Sequence, residues 1–263
     1  MEYENSLDRY LKLEGSYNVR DLGGYETSDG RITKWRTFLR SGSMHNLTEE
    51  SQSSILQLGI RTVIDLRTSA EKTALPNVFK DSSKISFKEH NIIGDVPFDG
   101  YSNISAVDIL EGGGEFAKGI LQMYCTFLDQ CQDQFRDSLV TLSDSGSVPA
   151  IYHCAGGKDR TGIISAMLLG NAGVSYDTIA KDYSLSAKYL MERYFEGVVQ
   201  SPRPGETPEN YTWKEYEEEF CPPEAMLMTL SYLDDKYGGI QSYMKLIGVD
   251  EVRINHLRDC LIE

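Results

Sequence analysis

Ten consecutive residues carry most of the chemistry in this chain: His153-Cys154-Ala155-Gly156-Gly157-Lys158-Asp159-Arg160-Thr161-Gly162. A cysteine follows a short apolar run, five residues form a glycine-bearing turn, and an arginine opens an apolar helix. Successive backbone N–H groups of such a turn, over Ala155, Gly156, Gly157 and Lys158, converge at a helix N-terminus and attract an anion. Arg160 adds a two-pronged contact suited to a tetrahedral dianion. The same field favours the thiolate of Cys154, lowering a thiol pKa of about 8.5 towards about 3.5–7.5. A nucleophile beneath an anion cradle is suited to cleaving phosphate esters through a phosphocysteine. Thr161 reads either as a hydrogen-bond donor to the sulfur or as a hydroxyl capping the helix. His153 reads as a support that orients the loop. The leaving oxygen also needs a carboxyl group within hydrogen-bond reach. Asp159 inside the turn and Asp65 at the end of a β-branched run are the two candidates.

These residues need elements to hold them. Thr37–Ser41 and Thr62–Leu66 read as strands, separated by a helix over 48–58 with Thr48 as its cap and Gly59 at its end. Lys84–Ile93 alternates as a further strand, and Pro149–His153 is the strand leading into the cysteine. Apolar residues at three- and four-residue spacing predict one helix over 115–142, and Thr161–Asn171 predicts another. Residues 94–114 and 201–210 read as loop. Beyond Tyr176 the chain reads as helical, with three short helices over 222–237, 240–247 and 251–261. The fold class expected is α/β, with a central, mostly parallel sheet flanked by helices and a helical C-terminal extension over 222–263. One domain over 1–263 is expected, with 94–125 and 188–222 as candidate lid or insertion segments.

Composition excludes several classes. Among 263 residues, 40 acids against 26 bases give a net charge of −14, which disfavours broad binding to nucleic acid or anionic membranes. Parsed locally, residues 189–263 hold 15 acids and 7 bases, more than half of that excess, whereas residues 18–67 hold 7 bases and 6 acids. No apolar run is long enough for a membrane span, and no secretory signal is visible. Five scattered cysteines and four histidines without a CxxC pair offer neither a disulfide framework nor a metal site. A cytoplasmic setting with no metal and no cofactor is expected, with signal-independent export left open.

The loop resembles that of the cysteine-dependent protein tyrosine phosphatase superfamily. More narrowly, it is similar to the bacterial and fungal family-3 tyrosine phosphatases, also described as atypical lipid phosphatases. Their pattern, His-Cys-x-x-Gly-Lys-Asp-Arg-Thr-Gly, is matched at every fixed position. Asn18-Val19-Arg20-Asp21-Leu22-Gly23-Gly24-Tyr25, Arg40-Ser41-Gly42, residues 59–67, Asp182-Tyr183 with Ser186, and the stretch from Tyr237 to Gly248 extend the resemblance over residues 10–263. Residues 75–115 and 195–222 match poorly, and Val19 and Gly156 depart from the common aromatic and alanine. The resemblance implies a tyrosine phosphatase-like fold and places the general acid at Asp159, with Asp65 as the alternative. Lys158 resembles a lysine in phosphoinositide phosphatases. It implies a wide cationic pocket accepting phosphotyrosine, phosphoserine or phosphothreonine, and phosphoinositides; a solvent-facing lysine is the plainer reading. Arg20, Arg40 and Arg67 read either as extra positive charge or as partners of Asp21 and Asp65. A rhodanese-like sulfur transferase would not need Arg160 and Thr161. A silent phosphate-binding module would most simply have lost Cys154 or Arg160.

Overall fold

In the computed structural model, which describes residues 9–94, 115–196 and 211–263, the sequence order of strands is scrambled in space. The strands are β1 (Arg20–Asp21), β2 (Phe38–Ser41), β3 (Thr62–Asp65), β4 (Ser86–Glu89) and β5 (Ala150–His153), and they form one sheet in the order β1-β2-β5-β3-β4. Only β1 is antiparallel to its neighbour. The strand that ends at His153 therefore lies in the middle, in register with Ser41 on one side and Asp65 on the other. Its C-terminal edge emerges between the turns that follow β2 and β3. That edge is where open parallel sheets gather their ligands.

Both central strands are buried at every position, as expected for a sheet covered on two faces. Alternate residues divide between two apolar clusters. Phe38, Ile64, Ala150 and Tyr152 face the larger one, while Leu39, Val63 and Ile151 face the smaller, with Ile55 of α1 (Glu49–Gln57). The Thr48 side chain caps α1 by accepting from Ser51 N–H. After β3 comes α2 (Ser69–Ala74), and after β4 come α3 (Glu115–Gln130) and α4 (Gln132–Ser143). The loop after β5 leads into α5 (Asp159–Asn171), whose residues are buried almost all round. A helix with that pattern sits in the centre of a fold. Helix α6 (Tyr176–Phe195) packs against it, α7 (Trp213–Phe220) and α8 (Pro223–Tyr237) pack on α6, and α9 (Ile240–Leu246) and α10 (Glu251–Leu261) return to α5. A Cβ on Gly170 would lie 2.2 Å from Ile240 Cδ1, so glycine is what lets α9 seat directly on α5.

The expected architecture is present, with local differences. The helix over 115–142 is two helices, because Cys131 leaves the helical region (φ −109°, ψ 33°) between α3 and α4. The strand over 84–93 contracts to β4, whose side chains are mostly exposed. Helix α5 starts at Asp159 rather than at Thr161, which puts Asp159 in its first turn. Of the candidate lid segments, 95–114 and 197–210 lie outside the described residues, as do nearly all of the loop over 94–114 and the polar break over 201–210. No described helix is long and apolar enough to cross a membrane.

Candidate active site

Residues 154–158 form a loop whose carbonyls are all turned outward and occupied. Cys154 C=O lies 3.1 Å from His153 Nδ1, and Ala155 C=O accepts the Ser43 N–H at 2.9 Å. Asn18 Nδ2 donates to the carbonyls of Gly156 (2.9 Å) and Gly157 (3.1 Å), and Arg40 Nη2 donates to Gly157 at 2.8 Å. Lys158 C=O takes the Gly162 N–H at 2.7 Å. The N–H groups of residues 155–158 have no acceptor among the described residues. A peptide plane whose carbonyl points out directs its N–H the other way, and that leaves an open row of donors at the head of α5. Gly157 makes the closure possible. Its φ is +67°, and a Cβ there would sit 2.4 Å from Ser41 C=O.

Cys154 lies at the base of this loop, 2% exposed. Thr161, one turn into α5, is fully buried, and its hydroxyl has no hydrogen-bond partner among the described residues. An unmatched buried hydroxyl is costly, so this one stands out beside an empty ring of donors. Burial depresses the basicity of His153. The neutral ring fits its contacts: Nδ1–H donates to Cys154 C=O, and Nε2 accepts from Asn77 Nδ2 at 2.7 Å.

Arg160 is held by a residue the sequence reading passed over. Its Nη1 and Nη2 donate to Glu71 Oε2 and Oε1 at 2.7 and 3.0 Å. Glu71 also closes the capping box of α2, accepting from Thr68 N–H (2.8 Å) and Thr68 Oγ1 (3.0 Å). Burial alone would raise the Glu71 carboxyl, but Arg160 and Thr68 together hold it down at about 2. The sequence signal at this position, Thr68-x-x-Glu71, is a helix-start signature, which marks a cap and not a partner for Arg160.

The two carboxylates weighed as acids have different surroundings. Asp159 is partly exposed at the start of α5, with its Oδ1 accepting from the Tyr124 hydroxyl at 2.7 Å and lying 3.4 Å from Lys158 Nζ. Asp65 is fully buried. It accepts from Arg67 through N–H (3.0 Å), Nε (2.9 Å) and Nη2 (2.7 Å). Burial pushes the Asp65 carboxyl up, yet the hydrogen bonds and charge of Arg67 act to hold it below its ordinary value. Lys158 is turned towards the end of α7, donating to Phe220 C=O at 2.6 Å. Burial opposes its charge, but Asp159 and Tyr183 outweigh that and keep it above the usual lysine range.

Arg20, Arg40 and Arg67 are all paired, and for two of them the partner differs from the one expected. Arg20 Nε and Arg40 Nη1 both bind the buried carboxylate of Asp182 on α6, at 3.1 and 2.6 Å. Arg20 also bonds the Asn18 side chain, so both groups that clamp the loop carbonyls trace back to Asp182. Asp21 instead caps a turn, accepting from Gly23 and Arg36 N–H at 2.8 Å. Only Arg67 keeps its expected partner, Asp65.

Comparison with known proteins places these features in context. The family described as "Tyrosine phosphatase family" matches residues 11–263. A "Tyrosine-protein phosphatase" of Nostoc commune is 28% identical over 228 residues, covering 84% of this chain and 72% of its own. The "Triple specificity protein phosphatase PtpB" of Mycobacterium tuberculosis is 25% identical over 276 residues, covering 95% of this chain and 98% of its own.

Proposed function

Since the chain belongs to the tyrosine phosphatase family, we propose that it hydrolyses phosphate monoesters through a phosphocysteine on Cys154. The observation that carries this reading is the row of unoccupied N–H donors over residues 155–158 above a buried thiol. The thiolate of Cys154 attacks phosphorus, and the S–P bond forms as the bond to the leaving oxygen breaks. Asp159 gives that oxygen its proton. Water then attacks phosphorus, Asp159 takes up the water proton, the S–P bond breaks, and inorganic phosphate leaves. Arg160 and the N–H row of Ala155, Gly156, Gly157 and Lys158 hold the equatorial oxygens, where negative charge builds up in the transition state. Thr161 stabilises the departing thiolate, a role supported by its unmatched buried hydroxyl. His153 holds the loop from behind. Asp159 is preferred to Asp65 because an acid must reach solvent and substrate, whereas the Asp65 oxygens are committed to Arg67.

The substrate range proposed is phosphotyrosine, with phosphoserine, phosphothreonine and phosphoinositides beside it. The relative named as triple-specific supports breadth. Lys158, beside Asp159 at the cradle, is the residue proposed to extend the range towards inositol phosphates. The same reading treats residues 1–263 as one phosphatase domain.

The test is turnover of p-nitrophenyl phosphate, phosphotyrosine peptide and phosphoinositide without added metal. Cys154→Ser is expected to abolish all three, and rapid quenching of wild type to trap a phosphoenzyme labile as a thiophosphate ester. Asp159→Asn is expected to lose most rate on poor leaving groups and little on good ones, and Lys158→Ala to lose phosphoinositide turnover preferentially. A metal requirement would refute the thiol mechanism. A leaving-group profile altered by Asp65→Asn and unaltered by Asp159→Asn would reassign the acid.

A further inference from the structure

One cation near the cradle has no hydrogen-bond or ion-pair partner among the described residues. Helix α6 touches the loop through Leu190, whose methyls lie 3.8 Å from where a Cβ on Gly156 would be. Arg193 is three residues further along, on the same helix face one turn on. Its guanidinium carbon lies 5.7 Å from the centroid of the Tyr17 ring. Tyr17 in turn bonds the turn beside the cradle, its C=O accepting the Gly42 N–H at 2.9 Å. Arg193 makes no hydrogen bond and no ion pair among the described residues, and its Nε is buried without a partner. The glutamates on either side of it are engaged elsewhere. Glu192 accepts from the Tyr10 hydroxyl and Glu196 from the Tyr17 hydroxyl at 2.7 Å, and both line a separate cavity of about 690 Å³.

A second donor faces the same rim. Arg67 Nη1 donates to Ser43 Oγ at 2.9 Å, so the Ser43 hydroxyl proton is free for His45 Nδ1, also at 2.9 Å. His45 Nδ1 is then the acceptor, and the neutral ring carries its proton on Nε2, which has no acceptor among the described residues. Partial burial, with Arg67 and Arg193 close by, keeps this ring less basic than usual.

We propose that Arg193, assisted by the Nε2–H of His45, is a specificity-determining residue that receives an acidic side chain flanking the phosphorylated residue of a protein substrate. The assignment rests on the phosphatase reading of the cradle. Once a phosphorylated side chain fills the loop, the peptide backbone lies across its mouth. A neighbouring carboxylate then comes within reach of a cation one helical turn from the Leu190 contact. The attraction is exposed, so its size is that of a surface ion pair and it is screened by salt.

The experiment uses two phosphotyrosine peptides identical except for Glu or Gln on both sides of the phosphorylated residue. p-Nitrophenyl phosphate and a soluble inositol bisphosphate serve as the other substrates. For the wild type at low salt, KM for the Glu peptide is expected to be about three- to fivefold lower than for the Gln peptide. That ratio is expected to fall to one in Arg193→Gln and to persist in Arg193→Lys, with p-nitrophenyl phosphate turnover unchanged in both. An equal ratio in wild type and Arg193→Gln overturns the proposal. So does an effect confined to the inositol bisphosphate, which would assign Arg193 to a lipid headgroup. A wild-type chain inactive on p-nitrophenyl phosphate would instead bring down the reading of the cradle, and this assignment with it.

Discussion

At the scale of single residues, Glu71 is the unexpected partner. An arginine has five N–H donors, and Glu71 takes one from each terminal nitrogen of Arg160. The side chain is thereby oriented before any substrate arrives, and the entropy of fixing it is already spent on folding. Replacing Glu71 by Gln removes the charge and one of the two acceptors while keeping the shape. Hydrogen bonds to charged groups contribute about 1.5–3 kcal/mol, so kcat/KM on p-nitrophenyl phosphate is expected to fall by about ten- to a hundredfold. The pH dependence discriminates further. The folded Glu71 carboxyl sits at about 2, below an unfolded value near ~4.3, so its contribution is complete above ~4.3 and is lost only as pH falls through about 2. The acidic limb of the wild-type profile above pH ~4 should therefore survive unmoved in Glu71→Gln; a displaced limb would show that Glu71 itself titrates in turnover. The proposed nucleophile and its arginine were legible because their spacing carries the chemistry. Glu71 was not, because a six-residue helix gives no periodicity and its capping box points to structure alone.

At the scale of elements, the loop after β5 takes its shape from segments far away in sequence. Asp182 on α6 accepts from Arg20, Arg40 and the Tyr25 hydroxyl, and through those arginines it fixes the clamps on the Gly156 and Gly157 carbonyls. Burial would push this carboxyl up, but the two guanidiniums hold it well below the usual range. Asp182→Asn leaves two buried cations under-compensated, at a cost of about 3–5 kcal/mol. A urea unfolding midpoint lowered to match, together with lost turnover, is the expected result; an unchanged midpoint would contradict the network. The stabilisation is present above the unfolded carboxyl value of ~3.9 and declines as pH falls towards the depressed native one. The wild type should therefore lose stability below pH ~4 more steeply than the variant. The strands and most helices were readable from β-branched runs and apolar spacing. What sequence could not supply was which buried arginine meets which acid: Asp21 and Asp65 are the partners near in sequence, and only the packing of α6 brings Asp182 to Arg20 and Arg40. The break at Cys131 was equally invisible, since the apolar spacing runs on through it.

At the scale of the whole molecule, a net charge of −14 coexists with a site proposed to bind dianions. The conflict dissolves because donors over four residues, together with Arg160, act at contact distance, while the acids are spread over a surface screened by salt. Inorganic phosphate should therefore stabilise the fold despite the overall repulsion. At a hundred times its dissociation constant a ligand adds about 2.7 kcal/mol, which for a chain of this size raises Tm by about 5–8 °C. Thermal unfolding in phosphate against chloride at equal ionic strength measures this, and Arg160→Ala should erase the shift; a shift that persists would point to a general salt effect. The bond from Arg20 to Asp182 spans 162 positions. A ribosome makes this chain from its amino end, so the stretch from His153 to Gly162 leaves the exit tunnel while the residue that anchors its clamps is still inside it. Contacts this distant in sequence are among the last to form. A growing polypeptide can thus expose the Cys154 thiol before its loop is clamped, and premature termination between Gly162 and α6 yields a fragment that carries the whole signature without the anchor of its clamps.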